Sequence, residues 1–390
     1  LWDVQFSASC IRSITPTRSV GLPESTATIE AGGRVLLPGL VDAHVHLDKA
    51  YQLAAATAAG FDGDLREDVL RSAIAATASL RKSVDSTFVI PGMRRLLTEM
   101  RRTGTAAARV HVEIDPDTDT ASVSLHQQVA AEFPDIALQL TAFPQRGTES
   151  GPTMHRKMEQ ALDLGCTVVG GCPYADPDPV SHLMFIFALA ADRGLPIDLH
   201  ADLTDDAALA QIPLILQYVE RYHLEGRVTL GHMNALAAMP PDRFDAIARE
   251  LARLRITIVV LPTTDLWLSG RTQRHNRVRG VAPIKELIER GVAVAIGSNN
   301  HQNAFTPVSG GGLLRQLWLC ALVCHMGSDN DALNLLEAVT TIPASICGLE
   351  AWGIQENASP TANLVDCNDP WDTVRQAPHV YRRIARGQLC

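Results

Sequence analysis

No stretch of this 390-residue chain stays apolar for the roughly 20 residues that a membrane-spanning helix needs. A membrane partner is therefore not expected. Positive charge is not in excess either: Lys plus Arg number 34 against 43 Asp plus Glu, a formal charge of −9. Without a basic stripe, nucleic acid is not an expected partner. Cysteine occurs eight times, but never as Cys-x-x-Cys. Cys320 and Cys324 stand one helical turn apart in an apolar segment and read as small core residues. A reducing, cytoplasmic setting follows as an expectation. No Gly-x-Gly-x-x-Gly follows an early strand, which argues against an open dinucleotide-binding sheet. Low-complexity tracts and short internal repeats are also missing. What remains is 46% apolar and 20% charged residues, the balance of a soluble globular protein with a large core.

The most informative stretch runs from Leu36 to Lys49 and reads Leu-Leu-Pro-Gly-Leu-Val-Asp-Ala-His-Val-His-Leu-Asp-Lys. Residues i and i+2 of a strand point the same way. His44 and His46 therefore leave one strand on one side, near its C-terminal end. Two neutral nitrogen donors on a rigid strand form half a transition-metal site.

From here apolar, β-branched runs alternate with helical patterns, the rhythm of parallel βα units. Eight runs are present: one ending at His46, then 106–114, 137–143, 167–172, 196–200, 227–232, 257–261 and 292–297. Helical patterns cover 93–102, 154–164, 182–193, 205–222, 241–254 and 283–290. Eight strands each followed by a helix predict an α/β fold of the (β/α)8 TIM barrel type over 38–351. Short β-like pieces at both ends, among them Val4-Gln5-Phe6, Thr26-Ala27-Thr28-Ile29 and Asn363-Leu364-Val365-Asp366, predict one small composite β domain from residues 1–37 and 352–390.

A barrel of this kind keeps its chemistry at the C-terminal ends of its strands. Those ends carry His44 and His46, then His111, Glu113 and Asp115, then Gln145, then Cys172 and Tyr174, then His200 and Asp202, then His232, then Asn299, Asn300 and His301. Histidines from several strands at one barrel mouth point to a metal. Three neutral imidazoles leave an open coordination position, where bound water becomes hydroxide near neutral pH.

The phrases Asp42-Ala43-His44-Val45-His46-Leu47-Asp48, Ala142-Phe143-Pro144-Gln145, Val169-Gly170-Gly171, Asp198-Leu199-His200, Gly231-His232 and Gly297-Ser298-Asn299-Asn300 together resemble the amidohydrolase superfamily. The branch is the one holding cytosine deaminase and N-isopropylammelide amidohydrolase. The resemblance implies that His44, His46 and His200 hold one divalent metal, zinc first, with iron and manganese as alternatives. It implies that His232 contacts the water on that ion or the substrate carbonyl. Gln145 would bond the amide edge of a heterocycle, and Asn300 would face the ring.

Two departures matter. The family's eighth strand ends in an Asp that binds metal and takes a proton; here the metal-ligand and catalytic position is Asn299. The deaminases carry a Glu three residues after the fifth-strand His; here it is Leu203. Asp202 is the expected substitute as general acid/base, with His301 behind it; the alternative for Asp202 is a place in a helix N-cap region.

The implied activity is metal-dependent hydrolysis of a non-peptide C–N bond, by deamination or cyclic amide opening, in a small nitrogenous heterocycle. Alternatives are a non-hydrolytic reaction using the metal as a Lewis acid, such as an isomerase, cyclase or lyase, and a non-catalytic ligand-binding homologue. A small-molecule substrate and assembly into a homo-oligomer are expected.

Overall fold

The computed structural model describes residues 1–17, 28–65, 68–83, 86–117, 120–148, 151–310 and 312–390. Its strands are β1 (Trp2–Phe6), β2 (Ile11–Pro16), β3 (Val35–Pro38), β4 (Leu40–Val45), β5 (Thr105–Glu113), β6 (Ala137–Phe143), β7 (Val168–Gly171), β8 (Ile197–Ala201), β9 (Val228–His232), β10 (Thr257–Val260), β11 (Val294–Ile296), β12 (Ala362–Val365), β13 (Val380–Ala385) and β14 (Gln388–Leu389). Strands β4 to β11 form one parallel sheet in sequence order. Most are buried along their whole length, which is why they read as apolar runs without alternation.

The sheet closes on itself one step beyond β11. Asn299 N–H donates to His44 O at 2.8 Å, and His46 N–H donates to Asn299 O at 2.9 Å. Gly297 permits this closure: a Cβ there would stand 2.8 Å from His44 O and 2.9 Å from His44 Cβ, too close for any side chain. The eight-stranded barrel expected from the sequence is borne out.

Helices cover the outside, among them Ser86–Arg102, Ala121–Ala130, Pro152–Asp163, Pro179–Arg193, Ile212–Arg221, Pro241–Arg253 and Gly312–Val323. Amphipathic patterning drives this. In Pro241–Arg253 the residues Phe244, Ile247, Ala248 and Leu251 are buried, the i, i+3, i+4, i+7 stripe of a helix lying on a sheet. Pro179–Arg193 starts where the Asp178 carboxylate accepts from Val180 N–H and Ser181 N–H, and stops at left-handed Gly194, a capped helix at both ends. No described helix is long and apolar enough to cross a membrane.

One expected helix begins later than its pattern suggests. The run 205–222 contains a 3-10 turn at Ala207–Leu209 and an α-helix only from Ile212. Pro213 sits in its first turn, a position that suits proline's fixed φ and missing N–H.

The chain ends build two antiparallel sheets. β1 and β2 form a hairpin, and β3 joins β12, β13 and β14 in the order β14-β13-β12-β3. Ile11 exchanges backbone hydrogen bonds with Ala358 and Asn357. Thr28 and Ile29 lie outside regular structure, and Thr26 and Ala27 lie outside the described residues.

Candidate metal centre and active site

Three imidazoles converge at the C-terminal mouth of the barrel. His44 and His46 come from the end of β4, and His200 from β8. His200 Nε2 lies 3.1 Å from His44 Nε2 and 3.2 Å from His46 Nε2. Two nitrogens held at about 2.0–2.1 Å by a tetrahedral ion stand roughly 3.3 Å apart, so this spacing fits a common metal. All three rings are fully buried. Burial, then neighbouring histidines, with Lys49 adding to it for His44 and His46, holds all three well below the usual imidazole range. They are therefore neutral at neutral pH, the state a metal requires.

Behind this set lies a second buried layer. His111 stacks on His44 with ring centroids 3.8 Å apart. Its Nε2 is 3.6 Å from Asp198 Oδ1, which in turn is 4.0 Å from His44 Nδ1. Asp198 Oδ2 accepts from Arg109 Nη1 at 2.8 Å. Burial pushes the Asp198 carboxyl up to about 6, against the pull of Arg109. Arg109 also bonds Gln139 and Thr229, so this guanidinium is among the largest fully buried side chains and is paired on several sides.

A cavity opens beside the imidazoles. Its walls include His46, His200, His232, Gln145, Asn299 and Asn300 on the polar side. Leu70, Leu203, Leu268 and Phe305 supply an apolar side. His232, on β9, has its Nδ1 2.6 Å from Asp265 Oδ1. The other oxygen of Asp265 accepts from Leu261 N–H at 3.0 Å. A carboxylate at that distance accepts a hydrogen bond from Nδ1–H, so Nε2 is the ring nitrogen that His232 offers to the cavity it lines. Burial raises the Asp265 carboxyl, opposed by His232.

Gln145 is held by Lys49. Its Oε1 accepts from Lys49 Nζ at 3.0 Å, so Nε2, with only a 3.9 Å contact to Cys172 Sγ, is the group left for a ligand. Lys49 is itself buried and 3.5 Å from Glu113. Arg81 bridges Glu113 and Asp48 at 3.0 and 2.7 Å. Burial lowers the Lys49 ammonium, and Glu113 and Asp48 oppose that.

The structure gathers His44, His46, His200, His232, Gln145, Asn299 and Asn300 at one mouth. Asp202 has another position. Its Oδ1 accepts from Gln211 N–H at 2.7 Å and its Oδ2 from Ile212 N–H at 3.2 Å. Both oxygens cap the helix Ile212–Arg221, and Asp202 is not among the residues lining the cavity. Burial pushes its carboxyl up to about 6, with those two N–H groups opposing. His301 also points elsewhere, its Nε2 3.0 Å from Ser298 Oγ, and burial lowers it to about 4. Asn299 has its Oδ1 bonded to Asn300 Nδ2 at 2.8 Å, and its Nδ2 is buried with no protein partner. Two residues that contact this set, Asp265 and Lys49, went unread in the sequence. Asp265 sits in the first turn of the helix Pro262–Leu268, past the end of β10 at Val260. Lys49 stands in the His-x-His phrase itself, but its stem-and-ammonium side chain gives no periodic signal.

The model of the amidohydrolase family matches residues 92–359. The chain belongs to the amidohydrolase family. This amidohydrolase is 27% identical over 352 residues to the pterin deaminase of Rhizobium rhizogenes, covering 89% of this chain and 77% of that one. It is 22% identical over 356 residues to N-isopropylammelide isopropyl amidohydrolase of a Pseudomonas species, covering 90% and 84%. Among solved structures it resembles 5-methylcytosine deaminase from Klebsiella pneumoniae bound to 5-fluorocytosine, with a TM-score of 0.92, 25% identity, and coverage of 100% and 94%. The resemblance stated from the sequence is borne out, and the chain is an enzyme of the amidohydrolase type. Leu203 lines the cavity of this amidohydrolase and, having no titratable group, moves no proton there.

Proposed function

We propose that this amidohydrolase hydrolyses a C–N bond in a small, oxo-bearing nitrogen heterocycle, by deamination or by opening a cyclic amide. The observation that carries the reading is the meeting of three imidazole Nε2 atoms, 3.1 and 3.2 Å apart, with the His232–Asp265 pair on one cavity. His44, His46 and His200 would hold one divalent ion, and three neutral imidazole nitrogens suit zinc. When bound, the ion would supply Lewis acidity, polarising a substrate oxygen or acidifying water.

The chain's own residues do the rest. His232 Nε2 takes the proton of the attacking water while Asp265 stabilises the ring as it becomes positive. The C–O bond forms, and the same imidazole returns the proton to the leaving nitrogen as the C–N bond breaks. Leu203 stands on the cavity where the resemblance puts a Glu, so in this reading His232 moves the proton without that group. Gln145 Nε2 orients the polar edge of the ring, Asn300 acts on it through Asn299, and Leu203 and Phe305 cover its flat face. Asp202 acts as a positioning residue through its helix. The eight cysteines are all unpaired, which supports the proposed cytoplasmic setting. A homo-oligomeric state completes the proposal.

The test is ammonia or amine release by zinc-loaded protein across a panel of oxo-pyrimidines, triazines and pterins. Release from at least one class is expected. Zinc-loaded protein that binds panel members without releasing product sinks the hydrolytic reading. His200→Ala is expected to reduce metal content to near zero by elemental analysis; full occupancy in that variant removes His200 from the ligand set.

A further inference from the structure

The loop after β11 carries three asparagines whose side chains form a one-way chain. Asn303 Oδ1 accepts from the backbone N–H groups of Phe305 at 2.9 Å and Thr306 at 3.1 Å. A backbone N–H only donates, so Asn303 must turn its oxygen toward them. Its Nδ2 then donates to Asn300 Oδ1 at 2.8 Å. Asn300, its oxygen engaged, donates through Nδ2 to Asn299 Oδ1 at 2.8 Å. Only Nδ2 of Asn299 is left. It is buried and has no protein partner, and Asn299 lines the cavity with His46, His200 and His232. No amide in this chain turns over alone without setting two oxygens or two N–H groups face to face.

We propose that Asn299 is a hydrogen-bond donor to the bound ligand and not a ligand of the metal, and that Asn303 and Asn300 set this polarity from behind. The proposal rests on the metal reading above. An amide N–H has no lone pair to offer a cation. The ion is therefore held by three imidazoles, and Asn299 Nδ2 meets an acceptor at its open side. Gln145 also presents its nitrogen, because Lys49 holds its oxygen. Two N–H donors on one cavity select a ligand with acceptor atoms on two edges, an oxo group or a deprotonated ring nitrogen. A ligand presenting an amino group at either place would set donor against donor.

Reversing the relay tests it. Asn303→Asp is isosteric, and its carboxylate accepts on both sides. Asn300 then has to donate toward position 303 and turn its oxygen to Asn299. Asn299 in turn donates to Asn300 and swings Oδ1 toward the ion. Zinc affinity, measured by chelator competition, is expected to tighten about tenfold or more, the scale seen for groups behind metal ligands. Asn299→Gly suits the left-handed backbone there, φ 59°, and is expected to leave zinc affinity unchanged. The double variant Asn299→Gly with Asn303→Asp is expected to lose the tightening, since Asn299 carries it. A tenfold loss of zinc in Asn299→Gly alone overturns the proposal, because Asn299 is then a ligand. Tightening that persists in the double variant also overturns it, because charge alone is then acting.

A metal-free readout separates this inference from the metal reading. Asn299→Gly identifies the Asn299 side-chain amide proton–nitrogen signal by its loss. In Asn303→Asp that signal is expected to move as Nδ2 gains a partner. An unmoved signal overturns the relay whether or not zinc binds. A moved signal in a protein that takes up no zinc upholds the relay and overturns the metal reading.

Discussion

The His232–Asp265 pair shows how much one oxygen decides. A 2.6 Å contact between Nδ1 and a buried carboxylate keeps the imidazole base on the cavity side. Asp265→Asn preserves shape but sets an amide N–H or a neutral oxygen against Nδ1. Turnover on a true substrate is expected to fall by about 10²–10⁴-fold, the range of a general acid–base contribution, while zinc content stays unchanged. A variant within twofold of wild type would show that His232 needs no partner. His44, His46, His200 and His232 were legible in the sequence because strand periodicity aims i and i+2 together and histidine is scarce enough to notice. Asp265 was not legible. It belongs to a helix turn, where a carboxylate near the start normally reads as a helix-dipole partner. The posture of Asn299 was unreadable for a different reason: the direction of an amide depends on donors several residues away.

Among the elements, the loops after β6 and β7 are tied by one carboxylate. Asp176 Oδ2 accepts from Thr148 N–H at 2.6 Å and sits 3.2 Å from His182 Nδ1, and Oδ1 accepts from Asp178 N–H at 3.1 Å. Burial raises this carboxyl, but His182 and the two N–H groups outweigh it and bring it from the usual 3.8 down to about 2. A depressed carboxyl gives stability that is full above its unfolded value and fades as pH falls through the folded one. Asp176→Asn is therefore expected to be less stable than wild type at neutral pH, with the gap narrowing below the ordinary value of 3.8 toward about 2. Denaturant unfolding across that range measures it. A gap independent of pH would mean that the carboxylate's charge contributes nothing. Asp202 makes the parallel case for a helix. Asp202→Ala uncaps Ile212–Arg221 and is expected to cost about 1 kcal/mol of stability. Its effect on turnover is expected to stay well short of the roughly 10²–10⁴-fold loss of an acid–base group. A loss of that size would return Asp202 to the chemistry. Buried strands gave their positions away to within a residue or two. The helices Val69–Ser83 and Ala121–Ala130 did not, since Ala, Ser and Thr dilute their apolar stripes.

Across the whole molecule, the barrel leans on chain ends that are far apart in sequence. Leu36 and Leu37 of β3 pair antiparallel with Leu364 and Asn363 of β12, and β3 runs into β4 with only Gly39 between them. We propose that residues 1–37 and 352–390 behave as one unit clamped to the N-terminal side of the barrel. Asn363 is the joint. Its buried Nδ2 donates to Gly104 O at 2.8 Å, just before β5, and lies 3.3 Å from Pro38 O. Gly104 has φ +89°, and a Cβ there would lie 2.8–2.9 Å from the Asn363 amide, so the glycine is what lets the amide reach the carbonyl. Asn363→Leu keeps similar bulk but removes a donor from two carbonyls, Pro38 O and Gly104 O, the second of which keeps only Leu40 N–H at 3.0 Å. A hydrogen bond lost in this way costs about 0.5–1.5 kcal/mol, and the loss falls at the seam between sheet and barrel. Hydrogen exchange is expected to quicken together in β3, β12 and β13, while β7 to β10 keep their protection, because local opening follows contiguous units. If β3 opens without β12, the ends are two pieces that happen to touch. If the barrel strands open to the same extent, the clamp and the barrel are one cooperative body, and the sequence's division into two parts marks no boundary in stability.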